Sequence, residues 1–371
     1  MVTAACITQV RRSYPHFTFA ASRRRQMPGP ASCFLGALLL RLVSWSDPWQ
    51  TTCLSLGCPG ARALAACEVP GSSGVVVAAG GGAQWWQEDP DSGLWRCTRS
   101  SVDPALRGPL FSIAVDPSSG SVAVGGGEGR AASLFTADGA LLATLEGHTG
   151  WVRAMAFHAG QLFTVGCNFV KVWRPLPEGV GWKLVGDLVG EGDILALAIS
   201  ACGVLVAAGV SSKLQLWQLP SRDLRPKEWL AAAEQSLTTQ PSLHEGRVTC
   251  LSSQGCWLFS VGQDGHVQKR RFLQSSAQAG DSLQSARLTA LHGKFESIAI
   301  LEEGDLLAVG SDAGELCVFD GRNLELLGRL QGLHQGAPVS SLCPVSGGRV
   351  ASVSSRHSHL EVTPVLQIAK N

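Results

Sequence analysis

The chain has 371 residues and a formal net charge of +1, with 45% hydrophobic and 16% charged residues. That length is ample for a sizeable core, and that composition excludes global disorder. A charge so near zero gives no bulk attraction to nucleic acid or an acidic membrane surface, while 43 Gly and 11 Trp point to an all-β chain full of tight turns.

Residues 1–46 stand apart: they contain no Asp, Glu or Lys, and they carry Arg11, Arg12, Arg23, Arg24, Arg25 and Arg41. Arg-rich, Ser-rich and acid-free composition is that of an organellar transit peptide, which would send the chain to a chloroplast or mitochondrion. The segment also reads as a signal peptide, with Arg23–Arg25 as basic region and Cys33–Leu40 as apolar region. A third reading is a disordered extension, or an artefact of how the coding sequence was assigned, on a cytoplasmic protein. The apolar run is too short to cross a bilayer and no other stretch approaches ~20 apolar residues, so no membrane span is expected.

From residue 47 onward one phrase recurs, a short apolar run closed by a small residue. It occurs at Val75–Gly80, Val122–Gly125, Leu162–Gly166, Leu205–Gly209, Leu258–Gly262 and Leu306–Gly310, with a worn copy at Val350–Ser354. The closing positions are 45, 41, 43, 53, 48 and 44 residues apart, a period that suits propeller blades. An earlier apolar run precedes most copies: Leu110–Val115, Val152–Phe157, Ile194–Ile199, Val248–Leu251, Phe295–Ile300 and Val339–Cys343. Third strands follow, such as Val170–Trp173, Lys213–Trp217 and Glu315–Phe319, and then outer strands such as Leu141–Leu145 and Leu324–Leu330. Helical periodicity is confined to Trp229–Leu237. The expectation is a seven-bladed β-propeller of four-stranded antiparallel blades over 47–371. Its last blade is completed by Thr51–Leu56 from the N-terminal side or by Val365–Ala369.

The repeat resembles the WD-repeat β-propeller family over about residues 63–363. The fullest copy runs from Gly147-His148 through Trp151-Val152 and Asn168 to Trp173-Arg174. Others begin at His244, His292 and His334, with Asp264 and Asp312 in the turn before the third strand; Phe319-Asp320 and Trp217-Gln218 stand at the closing position. The resemblance implies a structural role for these residues: a His, a strand Ser or Thr, a turn Asp and a Trp bonded within a blade. In the sixth blade it assigns His292, Ser297 and Asp312, with Phe319 in place of Trp. In the third it assigns His148 and Trp173, with Ala154 and Asn168 at the other two places. No blade has the full set, so strand packing is expected to hold the ring with few polar clamps.

Catalytic patterns are lacking. Gly80–Gly82 and Gly125–Gly129 have no Lys-Ser/Thr of a phosphate loop and read as turns, so no cofactor is expected. The twelve Cys are scattered without a C-x-x-C pair, which reads as buried free thiols and no zinc site. Glu302-Glu303 reads as a solvated turn tip. Binding is better supported. The residue before each innermost strand lies near the channel rim, and these are Pro109, Trp151, Asp193, Arg247, Lys294 and Pro338. Trp151 is a hot-spot type of residue. Asp193 beside Arg247 and Lys294 makes a rim of mixed sign, which suits a protein or peptide more than a nucleic-acid backbone. Lys269, Arg270 and Arg271 form either a small basic patch for an acidic partner or a solvated strand end. The expected function is a non-catalytic interaction scaffold, monomeric on its own, that holds protein partners in a larger assembly. A propeller enzyme or small-molecule binder using the channel, and an RNA-processing propeller, are the alternatives.

Overall fold

Short apolar strands linked by tight turns cannot bury both faces alone, so they stack as sheets against one another. The computed structural model describes residues 51–56, 63–69, 72–176, 181–211, 213–242, 244–271, 284–287, 293–301, 305–357 and 359–368. The 1–46 segment and His292 lie outside the described residues. Seven four-stranded sheets are formed, each a run of antiparallel neighbours. Blade 1 spans Ala63–Val102, blade 2 Leu110–Leu145, blade 3 Val152–Val189, blade 4 Ile194–Pro241, blade 5 Val248–Arg287 and blade 6 Phe295–Leu330. Blade 7 takes Ser341–Val345, Arg349–Val353 and His359–Pro364 from the C-terminal end and Thr52–Ser55 from the N-terminal end. Each innermost strand packs on the next, and that of blade 7 packs on that of blade 1. The ring is therefore closed.

The fourth strand of blade 7 answers the closure question. Thr52–Ser55 pairs antiparallel with His359–Val362, in the register Thr52 with Val362 and Ser55 with His359. The segment that could have competed for this place, Val365–Ile368, forms a short helix α2. Its Val365 and Ile368 fill the gap between blades 6 and 7. Helix α1, Pro226–Gln235, lies in the long insertion of blade 4 and buries Trp229 and Ala233 between blades 3 and 4.

The core is divided. Seven apolar clusters occupy the seven blade interfaces, one each. The closing strand contributes to the last of these: Leu54 and Leu56 pack with Val77, Trp86, Trp95, Val353 and Leu360. At two of the recurring closing glycines, Gly125 and Gly310, this packing rather than a turn demands glycine, whereas Gly80 lies in a turn at positive φ. A Cβ at Gly125 would sit 2.2 Å from Ser112 Oγ and 2.7 Å from Val152 of the next blade. At Gly310 the same atoms of Ser297 and Val339 would each be 2.6 Å away.

In blades 2 to 6 the innermost strand carries a bulge at the same place. The register slips between Leu110 and Ser112, Val152 and Ala154, Ile194 and Ala196, Val248 and Cys250, and Phe295 and Ser297. The extra residues are Phe111, Arg153, Leu195, Thr249 and Glu296. A bulge leaves its extra residue outside the ladder and re-aims its side chain.

Candidate functional site

Within the blades the polar residues form partial chains. In blade 3 Trp173 Nε1 donates to Thr164 Oγ1 at 2.8 Å, and His148 Nε2 lies 2.8 Å from the same hydroxyl. In blade 5 His244 Nε2 lies 2.9 Å from Ser260 Oγ, and its Nδ1 lies 3.0 Å from Asp264. In blade 7 His334 Nε2 lies 3.0 Å from Ser352 Oγ, and the His334 amide donates to the Glu361 carboxylate. The hydroxyl member is thus in the second strand. Ser297, which the family resemblance assigns to this role, sits instead in the first strand and donates at 2.7 Å to the Val339 carbonyl of the next blade. It ties blades together rather than closing a set within one.

Blade 3 lacks the acid, with Asn168 in its turn, and blade 5 lacks the Trp. Arg270 occupies that place, opposite Leu258 as Trp173 is opposite Leu162. Trp217 and Phe319 fill the same place in blades 4 and 6 and are fully buried. Asp312 accepts the Lys294 amide at 2.9 Å. A further clamp in blade 2 was not legible in the repeat: buried Asp103 accepts from Ser133 and Thr144 at 2.7 Å each. Polar clamps are more numerous than expected. Replacing Thr164 by Val is expected to cost ~2–4 kcal/mol, because it strands both Trp173 Nε1 and His148 Nε2 in the interior; urea unfolding against a Thr164→Ser control would check this.

The basic triplet does not make one face. Side chains alternate along a strand, and Lys269 and Arg270 go to opposite neighbours. Lys269 is 7% exposed; its ammonium donates to the Arg322 carbonyl of blade 6 and lies 4.3 Å from the Trp257 ring. Burial pulls its pKa down, with Asp320 opposing. Arg270 donates to the Pro241 and Ser242 carbonyls on the blade 4 side. Arg271 is exposed. Two of the three charges are therefore engaged internally.

At the rim, Trp151, Asp193, Arg247 and Lys294 are all exposed. Trp151 is 47% exposed and stacks on Phe111, with ring centroids 4.9 Å apart and planes 12° from parallel. Phe111 is the bulged residue of blade 2. Arg153, the bulged residue of blade 3, brings its guanidinium to 4.7 Å from the Phe111 ring and 4.6 Å from the Trp151 ring. Beside this group lies a cavity of about 310 Å³ lined by Gly150, Trp151, Arg153, Cys167, Asp193, Ile194 and Leu195. Across the channel mouth the bulged residue is Glu296. Burial and nearby Asp312 hold its carboxyl above the usual range, with Lys294 opposing. The strand-preceding residues Trp151 and Asp193 thus come together in one corner, while Arg153, Phe111 and Leu195 were missed. One extra residue in a bulge leaves no mark in a periodic pattern, although the position two beyond each rim residue would have found them.

Closed ring, divided core and channel-mouth loops define a seven-bladed β-propeller. The family profile "WD domain, G-beta repeat" matches residues 139–174 and 235–268. Among solved structures, the crystal structure of the WD40 β-propeller domain of Doa1 is similar, with a TM-score of 0.65 and 18% identity. That likeness covers 82% of this chain and 93% of the other. No curated protein matches the chain in sequence. The chain is a seven-bladed β-propeller with two stretches that match the WD repeat, and propellers of that family commonly serve as protein-interaction scaffolds and are typically non-enzymatic.

Proposed function

We propose that this chain is a non-catalytic scaffold that holds a protein or peptide partner in a larger assembly and engages it at the channel mouth around Trp151. The observation that carries the reading is the exposed Trp151–Phe111 stack with Arg153 against it, beside a cavity and within a rim of mixed charge. Large aromatics and Arg are the residue types that anchor interfaces. The acids and bases around them, Asp193, Arg247 and Lys294, suit a partner that itself carries both signs. Among the described residues no helix is long and apolar enough to cross a membrane.

Tagged full-length chain purified from its native cells is expected to bring down stoichiometric protein partners. Trp151→Ala is expected to lose at least one of them while leaving the thermal midpoint within a few degrees, since the ring is half exposed. Recovery of only the bare chain, or of the same partners with the variant, would count against this site.

A further inference from the structure

We propose that the turn Leu333–Gly336, between blades 6 and 7, is an acid-operated latch. Neutral His334 holds it shut on blade 7, and a proton on His334 releases it while the ring stays closed. The latch does not depend on what the rim binds.

The turn is held under strain. His334 and Gln335 both have left-handed backbone, with φ of 48° and 60°, between Gly332 at 84° and Gly336 at 82°. Two consecutive non-glycine residues in that region are costly, and such strain persists only where the surroundings impose it. His334 is the fastening. Its side chain has no exposure, and its Nε2 lies 3.0 Å from Ser352 Oγ. Its amide donates to both oxygens of Glu361 at 3.2 Å. Leu333 beside it is buried among the apolar side chains between blades 6 and 7. The piece that can leave is bounded on both sides. Before it, Leu330 is paired with Leu316 in blade 6. After it, Val339 donates to the Ser311 carbonyl at 2.9 Å and accepts from Ser297 at 2.7 Å. Residues 331–338 can therefore lift without breaking a sheet. Pro338, the rim residue of blade 7, lies within that piece, so an open latch reshapes the channel mouth.

The shut turn has no place for a proton. His334 Nδ1 has no hydrogen-bond partner among the described residues. Glu361 Oε1 stands 3.8 Å from it, beyond hydrogen-bond reach, and already serves the His334 amide. His357 and His359, from the third strand of blade 7 and the connection before it, oppose a positive charge on the ring. On the blade 6 side Glu315 is engaged by Gln331, which donates to it at 2.8 Å. Burial first, and the two histidines after it, push the His334 ring down to about 3 while the turn is shut. Released into water, the ring takes a proton near 6.5. Each unit of pH lost between those values favours the open turn about tenfold. The other clamp histidines lack this combination. His244 Nδ1 has Asp264 at 3.0 Å, and His148, whose Nδ1 is likewise unpartnered among the described residues, has no left-handed backbone.

Hydrogen–deuterium exchange of the full-length chain, read by mass spectrometry at pH 7.5, 6 and 4.5 and corrected for the intrinsic pH dependence of exchange, tests the latch. In the fragment covering 331–338 the His334 and Ala337 amides are bonded when the turn is shut. That fragment is expected to lose protection about 20-fold between pH 6 and 4.5, the effect of one proton. Fragments from the second strands of blades 2 and 6 are expected to keep theirs over the same range. His334→Asn tolerates the left-handed backbone and has nothing to titrate, so it is expected to show no pH-dependent loss in 331–338. Unchanged protection in the wild type, loss in step with the other blades, or the same loss in His334→Asn would each overturn the latch. If His334→Asn does not fold, the wild-type contrast between 331–338 and the other fragments decides alone.

Discussion

Lowering the pH from 7 to 4 is expected to destabilise the propeller by several kcal/mol, most of it through two histidines. Burial drives His148 down to about 4, with Lys171 adding to the fall and Asp187 opposing it. Burial drives His334 down to about 3, helped by His357 and His359. Each is held neutral in the fold, with its Nε2 against a buried hydroxyl. The unfolded chain binds a proton at each near pH 6.5 and the folded chain does not. Stability therefore falls as the pH drops below about 6.5, and the loss grows until the folded values are reached. At pH 4 this is ~3 kcal/mol per residue at 1.36 kcal/mol per pKa unit.

His244 shifts downward as well, chiefly through burial, although Asp264 opposes the shift. Carboxylates add to the loss at lower pH. Burial raises the pKa of Asp103, but hydrogen bonds from the Ala105 amide, Thr144 and Ser133 outweigh it and hold the group below its usual value. Its contribution to stability is present at neutral pH and is lost only as the pH falls through that lowered value. Urea unfolding at pH 7, 5.5 and 4.5 should show a steep loss in the wild type. The double variant His148→Gln, His334→Gln, which has nothing to titrate at these places, should show a shallower one. Parallel slopes would remove the histidines as the cause.

The second large effect concerns ring closure. A chain starting at residue 47 is expected to melt where the full chain does, because the closing strand begins at Thr52. A chain starting at residue 57 is expected to unfold non-cooperatively or aggregate. It loses Leu54 and Leu56, which are 3% and 4% exposed, and it bares the edge of His359–Val362. Leu54→Ala alone is expected to cost ~2–4 kcal/mol, the usual range for deleting a buried leucine. One further tie between first and last blades survives the truncation: Arg349 donates to both oxygens of Glu88 at 2.7 and 2.6 Å. A half-buried fork of this kind orients the blades but does not replace a missing strand. Differential scanning calorimetry of the two truncations separates the outcomes, and equal transitions for both would show that closure contributes little.

The blades were legible because the second strand of each is buried on both faces. Its sequence must be a continuous run of Val, Leu and Ala closed by a small residue, which at Gly125 and Gly310 lets the next innermost strand approach, and that run recurs visibly from Val75 to Ser354. Helix α1 was legible as the one place where the spacing changed, around Trp229. The hydroxyl partners of the buried histidines were not. Ser297 in a first strand and Thr164, Ser260 and Ser352 in second strands are equally plausible from spacing alone, and only the register decides between them. The channel mouth was half legible for the same reason. Trp151 and Asp193 stand just outside their strands, where the pattern ends. Arg153 stands inside one, at a register slip that no periodicity marks.

The pairing of Thr52–Ser55 with His359–Val362 also fixes how the molecule responds when pulled. Thr52 lies opposite Val362, so the start of the closing strand and the end of its partner are side by side. A load applied through the two chain ends would meet at one end of this antiparallel pair and part it bond by bond, as a zipper opens, rather than shearing all of its bonds at once. The ring is thus mechanically soft between its own ends, even though every other blade draws its four strands from one consecutive stretch of chain. Whatever precedes Thr51 joins the ring at the end of the sheet away from the Trp151 loops. Cargo or tether attached there would tug on the clasp without touching the rim.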